Sequence, residues 1–195
     1  MKGELHITMD WPIERIEEFK SACAFAMVKP IVIELEQTNG DKYIQVMTSG
    51  ICDLEEIHEK AYDWRHLAEV KRIKFEIQPG TEEHTAHLYY ESHLRLKLEK
   101  NSFNEVWLQI LKDKIRHQTS DWHFSKNLFK KDESYVYQMI TYRSYTDNNE
   151  QFMDKVKQML AVLNSIQIRS DKLEIEECIY DSNISLDNLW LNTKE

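Results

Sequence analysis

Apolar and polar residues alternate along several short stretches of the chain, with the period of a β-strand that buries one face. In the first stretch, Leu5, Ile7 and Met9 alternate with the polar residues Glu4 to Thr8. The same period predicts further strands over 29–36, 43–48, 73–77, 94–98, 122–129, 135–142 and 173–180. Asn39-Gly40 is a typical hairpin turn, because both residues tolerate a positive φ. The pattern therefore predicts eight strands.

Four segments between these strands carry apolar residues three or four positions apart, which is the spacing of one helix face. Side chains that cap helix N-termini precede each of the four segments. The residues that predict the four starts are Asp10 with Pro12, Asp53 with Glu56, Ser102 with Glu105, and Asn148 or Asn149. Helices and strands thus follow one another in the same order twice.

The repeated order is strand, helix, strand, strand, helix, strand, and His6 and His93 hold corresponding positions in it. This order is typical of the ferredoxin-like unit, an antiparallel sheet with both helices on one face. The sequence therefore predicts an α+β protein of two tandem ferredoxin-like (βαββαβ) repeats. We expect a first unit over 1–78, a linker over 79–86 around Pro79-Gly80, a second unit over 87–180, and a C-terminal tail over 181–195 that packs on the units.

Composition narrows the classes of partner. The net charge of −9 disfavours nucleic acid and anionic membrane surfaces, because both would repel the chain. Three widely spaced cysteines without a Cys-x-x-Cys pair indicate a reducing cytoplasm. The sequence predicts neither a signal peptide nor a membrane span. It leaves the oligomeric state open.

The candidate site follows from the sheet faces that carry no helix. In a duplicated fold these faces can oppose each other, and polar side chains of three predicted strands would then meet in one cleft. Histidine can transfer protons near neutral pH, and arginine can hold an anion through two parallel hydrogen bonds. We therefore expect His6, His93 and His123 as candidate catalytic residues, and Thr8, Arg95, Lys97, Ser125 and Asn127 as candidate ligand-binding residues.

Two hypotheses of function follow. The first is a binding or interaction protein, whose polar cleft takes a small anionic ligand or a protein partner. The second is an enzyme, hydrolase or phosphoesterase in type, that uses histidine acid–base chemistry in the same cleft. Neither hypothesis includes a cofactor or a metal. His84 and His87 are attributed to linker polarity, because they could hold a metal with His93 only if the chain bent sharply. The Asp181 to Asp187 segment lacks the glycine of a calcium loop.

His6-Ile7-Thr8 and His123-Phe124-Ser125 resemble the paired His-x-Thr/Ser motif of the two-histidine phosphoesterases, which hydrolyse cyclic phosphates. The resemblance implies one imidazole as base and one as acid. Lys126 departs from the motif, and the two histidines occupy different strands of their repeats.

The closing segment from Cys178 to Asp187, with Trp190 beyond it, resembles the ending of a family of bacterial proteins of unknown function. Lys29-Pro30, Met47-Thr48-Ser49 and the segment from His123 to Asn127 also carry this resemblance. It implies no catalytic residue, but it draws attention to His123, Ser125, Asn127 and the turn from Tyr180 to Asn183.

Overall fold

The computed structural model describes residues 1–36, 41–80, 87–101, 104–118, 121–130, 132–188 and 190–191. Within these ranges the strands are β1 (Lys2–Asp10), β2 (Lys29–Glu36), β3 (Lys42–Asp53), β4 (Glu69–Ile77), β5 (Tyr89–Glu99), β6 (Trp122–Asn127), β7 (Tyr135–Ser144) and β8 (Ser170–Asp181). The helices are α1 (Ile16–Phe25), α2 (Ile57–Arg65), α3 (Glu105–Gln118) and α4 (Asn149–Ser165). The predicted turn at Asn39-Gly40, the predicted cap Ser102 and linker residues 81–86 lie outside the described ranges.

Two of the predicted helix starts are confirmed in atomic detail. The Asp53 backbone N–H donates to Glu56 Oε2 at 3.1 Å, and the reciprocal bond to the Asp53 side chain completes a capping box at the 3-10 turn Leu54–Glu56, which continues into α2. At α4, Asn148 Oδ1 accepts from the Gln151 N–H at 2.9 Å, and the reverse bond is also present. Local capping chemistry therefore sets where these helices begin.

All strand pairs are antiparallel, and together they form one closed barrel in the order β1-β3-β2-β6-β7-β5-β8-β4. Two of these pairs join the halves of the chain. In one, β2 pairs with β6 through Ile33 and Asn127; in the other, β4 pairs with β8 through Lys74 and Asp181. Every strand therefore has a neighbour on both sides.

The predicted fold class is wrong on this point: the chain does not form two α+β ferredoxin-like repeats with separate, open sheets. Each open sheet would leave unpaired N–H and C=O groups along its two edge strands. In the structure the edges of one half pair with the edges of the other, so a single eight-stranded barrel with four short helices replaces the two units. Barrel closure satisfies these edges and turns both helix-free faces inward.

The helices cover the outside of the barrel, and the apolar faces of the strands lie beneath them. One core forms where Phe19 of α1 and Trp64 of α2 pack on Leu5, Ile7 and other strand residues of the first half. A second core lies under α3 and α4 in the second half. Because strand side chains alternate between faces, the polar residues between these apolar ones point into the barrel. No helix in the described ranges has the length and apolar character needed to cross a bilayer.

Gly3 on β1 occupies a position where the neighbouring strand approaches closely. A Cβ atom at residue 3 would meet the carbonyl oxygen of Glu76 and lie 2.6 Å from Phe75 Cζ. We expect Gly3→Ala to lower the free energy of unfolding by roughly 1–3 kcal/mol, because backbone and a buried ring must move. Urea unfolding would measure the loss. At Gly50 a new Cβ would meet the Val28 side chain at 2.9 Å. Gly50→Ala should therefore cost less, and an equal loss would contradict this explanation.

Candidate ligand site inside the barrel

A cavity of about 160 Å³ lies within the barrel. One part of its wall is apolar and includes Ile31, Ile33, Met47 and Met139. The rest is polar and charged. The carboxylates in the wall are Glu4, Glu76, Glu91, Glu174, Glu176 and Asp187, and the basic groups are Lys29, Arg72, Lys74 and Arg143, with His6 and His93 beside them. A cavity of this size holds a molecule about as large as benzene.

Buried carboxylates neutralise three of the basic groups. Arg72 donates to Asp187 Oδ2 at 2.6 Å and to Asp181 Oδ1 at 2.9 Å. Arg143 donates to Asp187 Oδ2 at 2.7 Å and to Glu91 Oε2 at 3.1 Å. The buried Nε of Arg143 has no hydrogen-bond partner, but these carboxylates neutralise the charge of both guanidinium groups. Neither arginine is therefore available as a strong anion site.

Lys74 takes part in the same network. Its Nζ lies 2.7 Å from Glu76 Oε1 and 3.1 Å from Glu91 Oε2. Burial alone would raise the pKa of Glu76, but the charge of Lys74 and the neighbouring His6 outweigh burial and lower that pKa to about 2. Burial alone would also raise the pKa of Glu91. The charges of Arg143, Lys74 and His93 outweigh burial and hold that pKa well below its usual range. Both carboxylates are therefore ionised at neutral pH.

The segment after β8 folds back into the barrel. Asp187 ends a short 3-10 helical turn over Ile184–Asp187, and its carboxylate meets side chains from β3, β4 and β7. Trp190 packs with Leu35 and donates its indole N–H to the Phe124 carbonyl oxygen at 3.2 Å. Asp187 therefore lies inside the barrel, between strands that are not neighbours.

His6 on β1 lies between two carboxylates. Its Nε2 is 3.2 Å from Glu76 Oε2 and 3.6 Å from Glu4 Oε1. Its Nδ1 is buried and has no hydrogen-bond partner. Ser49, opposite His6 on β3, donates its hydroxyl to Glu4 Oε1. The imidazole is therefore held beside acidic groups, with one ring nitrogen unsatisfied.

His93 on β5 has the corresponding surroundings in the second half. Its Nε2 is 3.4 Å from Glu176 Oε2 and 3.6 Å from Glu91 Oε1, and its Nδ1 is 2.8 Å from Thr141 Oγ1. Burial alone would lower the pKa of His93. The hydrogen bond to Glu176 and the charges of Glu91 and Glu176 outweigh burial and raise that pKa to about 9. His93 therefore carries a positive charge at neutral pH.

The strand register explains this correspondence. Glu4 lies opposite Glu76 across β1 and β4, and Glu91 lies opposite Glu176 across β5 and β8. Potential metal-ligand atoms of Glu4, His6 and Glu176 all lie within 4.8 Å of one another. Glu176 of the second half of the chain therefore lies beside Glu4 and His6 of the first half. We call these side chains the carboxylate–imidazole cluster, which comprises Glu4, His6, Glu76, Glu91, His93 and Glu176.

The cavity brings together five of the eight residues that the sequence predicts for the site. These are His6, Thr8, His93, Ser125 and Asn127. His123 instead lines a separate depression with Asp121, Tyr142 and Lys155. The resemblance to the two-histidine phosphoesterases requires His6 and His123 to share one site. The structure instead places them at different sites. Of the three histidines predicted as catalytic, His6 and His93 line this cavity.

Arg95 and Lys97 lie on β5 beyond the cavity. Arg95 donates two hydrogen bonds to Asp171, at 2.8 and 2.9 Å, and its guanidinium stacks over the Tyr137 ring. Lys97 Nζ lies 3.9 Å from the centre of the Tyr135 ring. Neither residue lines the cavity, so the two predicted anion-binding groups do not serve it.

Comparison with known proteins adds no family to this description. No protein-family model and no curated protein sequence matches the chain. The case for function therefore depends on the geometry of the cavity.

Sequence reasoning missed several residues of the site. Arg72, Lys74 and Glu76 alternate with the apolar residues that predict β4, and Arg143 occupies the same kind of position on β7. This alternation could have marked them as members of the polar face. The repeated Glu-x-His of Glu4-His6 and Glu91-His93 is the other available signal. No local pattern indicates that Asp187 enters the barrel.

Proposed function

We propose that this protein binds a small ligand inside its barrel, and that the ligand offers positive charge or hydrogen-bond donors to the carboxylate–imidazole cluster. The observation that carries the proposal is the division of one cavity into an apolar wall and an acidic, histidine-bearing end. Pockets that recognise small molecules combine these two kinds of surface. The apolar wall would take the hydrocarbon part of the ligand.

Charge argues for a cation rather than the anionic ligand first expected from the sequence. Arg72, Lys74 and Arg143 are each paired with carboxylates. The cavity wall also contains more carboxylates than lysines and arginines. At these three groups an anion would have to displace an existing partner, whereas a cation would meet carboxylates whose nearest described partners are a serine and two imidazoles.

The expected test is a thermal-shift comparison of benzylamine, benzyl alcohol and benzoate, which share a ring and differ in charge. At about ten times its dissociation constant, benzylamine should raise the melting temperature by roughly 3–5 °C, because it binds the native state. Benzyl alcohol should give a smaller shift, and benzoate none. Met139→Trp, which fills the cavity from the apolar side, should abolish the shift.

Two results would overturn this proposal. A shift from benzoate as large as that from benzylamine would remove the charge argument. A benzylamine shift that survives in Met139→Trp would place the binding outside the barrel. If none of the three compounds changes the melting temperature, the cavity does not take ligands of this size.

We also propose a cytoplasmic location. Support comes from the three cysteines, which lie within the described ranges as buried free thiols. Burial raises the pKa of Cys23 and of Cys178 to about 12, so both remain protonated and unreactive at neutral pH.

A further inference from the structure

Glu4, His6 and Glu176 contribute three potential metal ligands from two strands, β1 and β8, which do not pair directly with each other. Their donor atoms lie within 4.8 Å of one another. Two donors that each stand about 2.1 Å from an ion are at most about 4.2 Å apart. Small side-chain rotations would therefore bring the three donors into a first coordination sphere.

The neighbouring side chains show a second feature that favours a cation here. Neither oxygen of Glu76, which is 1% exposed, accepts a well-aligned hydrogen bond, although Lys74 Nζ and His6 Nε2 lie near them. The buried Nδ1 of His6 also lacks a partner. Buried polar atoms are normally satisfied, so unsatisfied atoms next to a cavity point to a missing partner.

The carboxylates at the acidic end of the cavity repel one another, and this repulsion also favours a bound cation. The carboxylate oxygens of Glu4 and Glu176 that face each other lie within 4.8 Å. A divalent cation between Glu4 and Glu176 would relieve this repulsion.

We propose that Glu4, His6 and Glu176 bind a divalent transition-metal ion at the acidic end of the barrel cavity. This inference rests on the proposed function, since it names the positively charged ligand of the same cavity. Imidazole together with carboxylates suits Zn²⁺, Co²⁺, Mn²⁺ or Fe²⁺, whereas Mg²⁺ and Ca²⁺ prefer oxygen ligands alone. The remaining cavity would let a water or a small molecule complete the coordination.

The test uses the full chain after treatment with a chelator. Calorimetric titration with Zn²⁺ should show one site, Mg²⁺ should bind much more weakly, and Co²⁺ should give visible absorption bands that Zn²⁺ removes. Glu176→Gln and His6→Gln should each weaken Zn²⁺ binding at least about tenfold. The matched control is Glu174→Gln, since Glu174 lies on the same strand and lines the same cavity but is not one of the three ligands. It should bind Zn²⁺ within about twofold of the unaltered chain.

Circular dichroism would establish that each variant folds, and Glu4→Gln replaces Glu176→Gln if the latter does not. Equal Zn²⁺ affinity in His6→Gln and the unaltered chain would overturn the inference, because the ion would then be bound elsewhere. Failure to bind Zn²⁺ while benzylamine still raises the melting temperature would refute the metal site alone. Failure with both ligands would refute the metal site and the proposed function together.

Discussion

Asp187→Asn is expected to lower the free energy of unfolding by about 3–5 kcal/mol, the range for removing one partner of a buried ion pair. Asp187 is 1% exposed, and its Oδ2 accepts from both Arg72 and Arg143. An asparagine would remove the charge that both guanidinium groups share, and its amide N–H groups would face donors. Because typical domains have a stability of only about 5–15 kcal/mol, urea unfolding should detect the loss easily.

Asp171→Asn is the matched control for this prediction. Asp171 also pairs with an arginine through two hydrogen bonds, but both side chains are partly exposed. Exposed ion pairs contribute about 0–1 kcal/mol, so this variant should stay close to the unaltered chain. Similar losses in the two variants would show that burial of the Asp187 network does not set its energy.

The sequence predicted the order of strands and helices because each element has a local signal. Leu5, Ile7 and Met9 alternate with polar residues, and Asn148 carries the chemistry of a helix cap. These signals depend on residues a few positions apart. The closed barrel depends instead on two pairings between the halves, β2 with β6 and β4 with β8, and no local pattern specifies which edges meet.

The site was predictable to the same limited extent. Alternation indicated that His6, Thr8 and His93 share a polar face, and the structure brings them into one cavity. Alternation also included Arg95 in that set, although it lies beyond the cavity and pairs with Asp171. How far each strand extends past the barrel interior depends on its register, which the sequence does not reveal.

The carboxylate–imidazole cluster shows why closure matters for function. Glu4 and His6 come from the first half, whereas Glu176 comes from the last strand of the second half. The pairing of β4 with β8 places that strand next to the first half. In two separate sheets these ligands would belong to different units, so the proposed metal site exists only because the barrel is closed.

The second large effect concerns His123, which the sequence placed among the candidate catalytic residues. Burial lowers the pKa of His123 to about 4, compared with an ordinary value of 6.5. A histidine with a lowered folded-state pKa stabilises the protein fully above pH 6.5, and this contribution is lost as the pH falls through 6.5 toward 4. The full shift corresponds to about 3 kcal/mol, of which about 2 kcal/mol should disappear between pH 6.5 and pH 5.

Urea unfolding at a series of pH values would measure this loss, with His123→Gln compared to the unaltered chain. Glutamine has no proton to gain, so the variant should lack the decline between pH 6.5 and pH 5. The range above pH 5 is informative because most carboxylates titrate below it. Replacing the exposed His66 with glutamine should leave the decline intact. If His123→Gln and the unaltered chain lose stability in parallel, burial of His123 is not the cause of the loss at low pH.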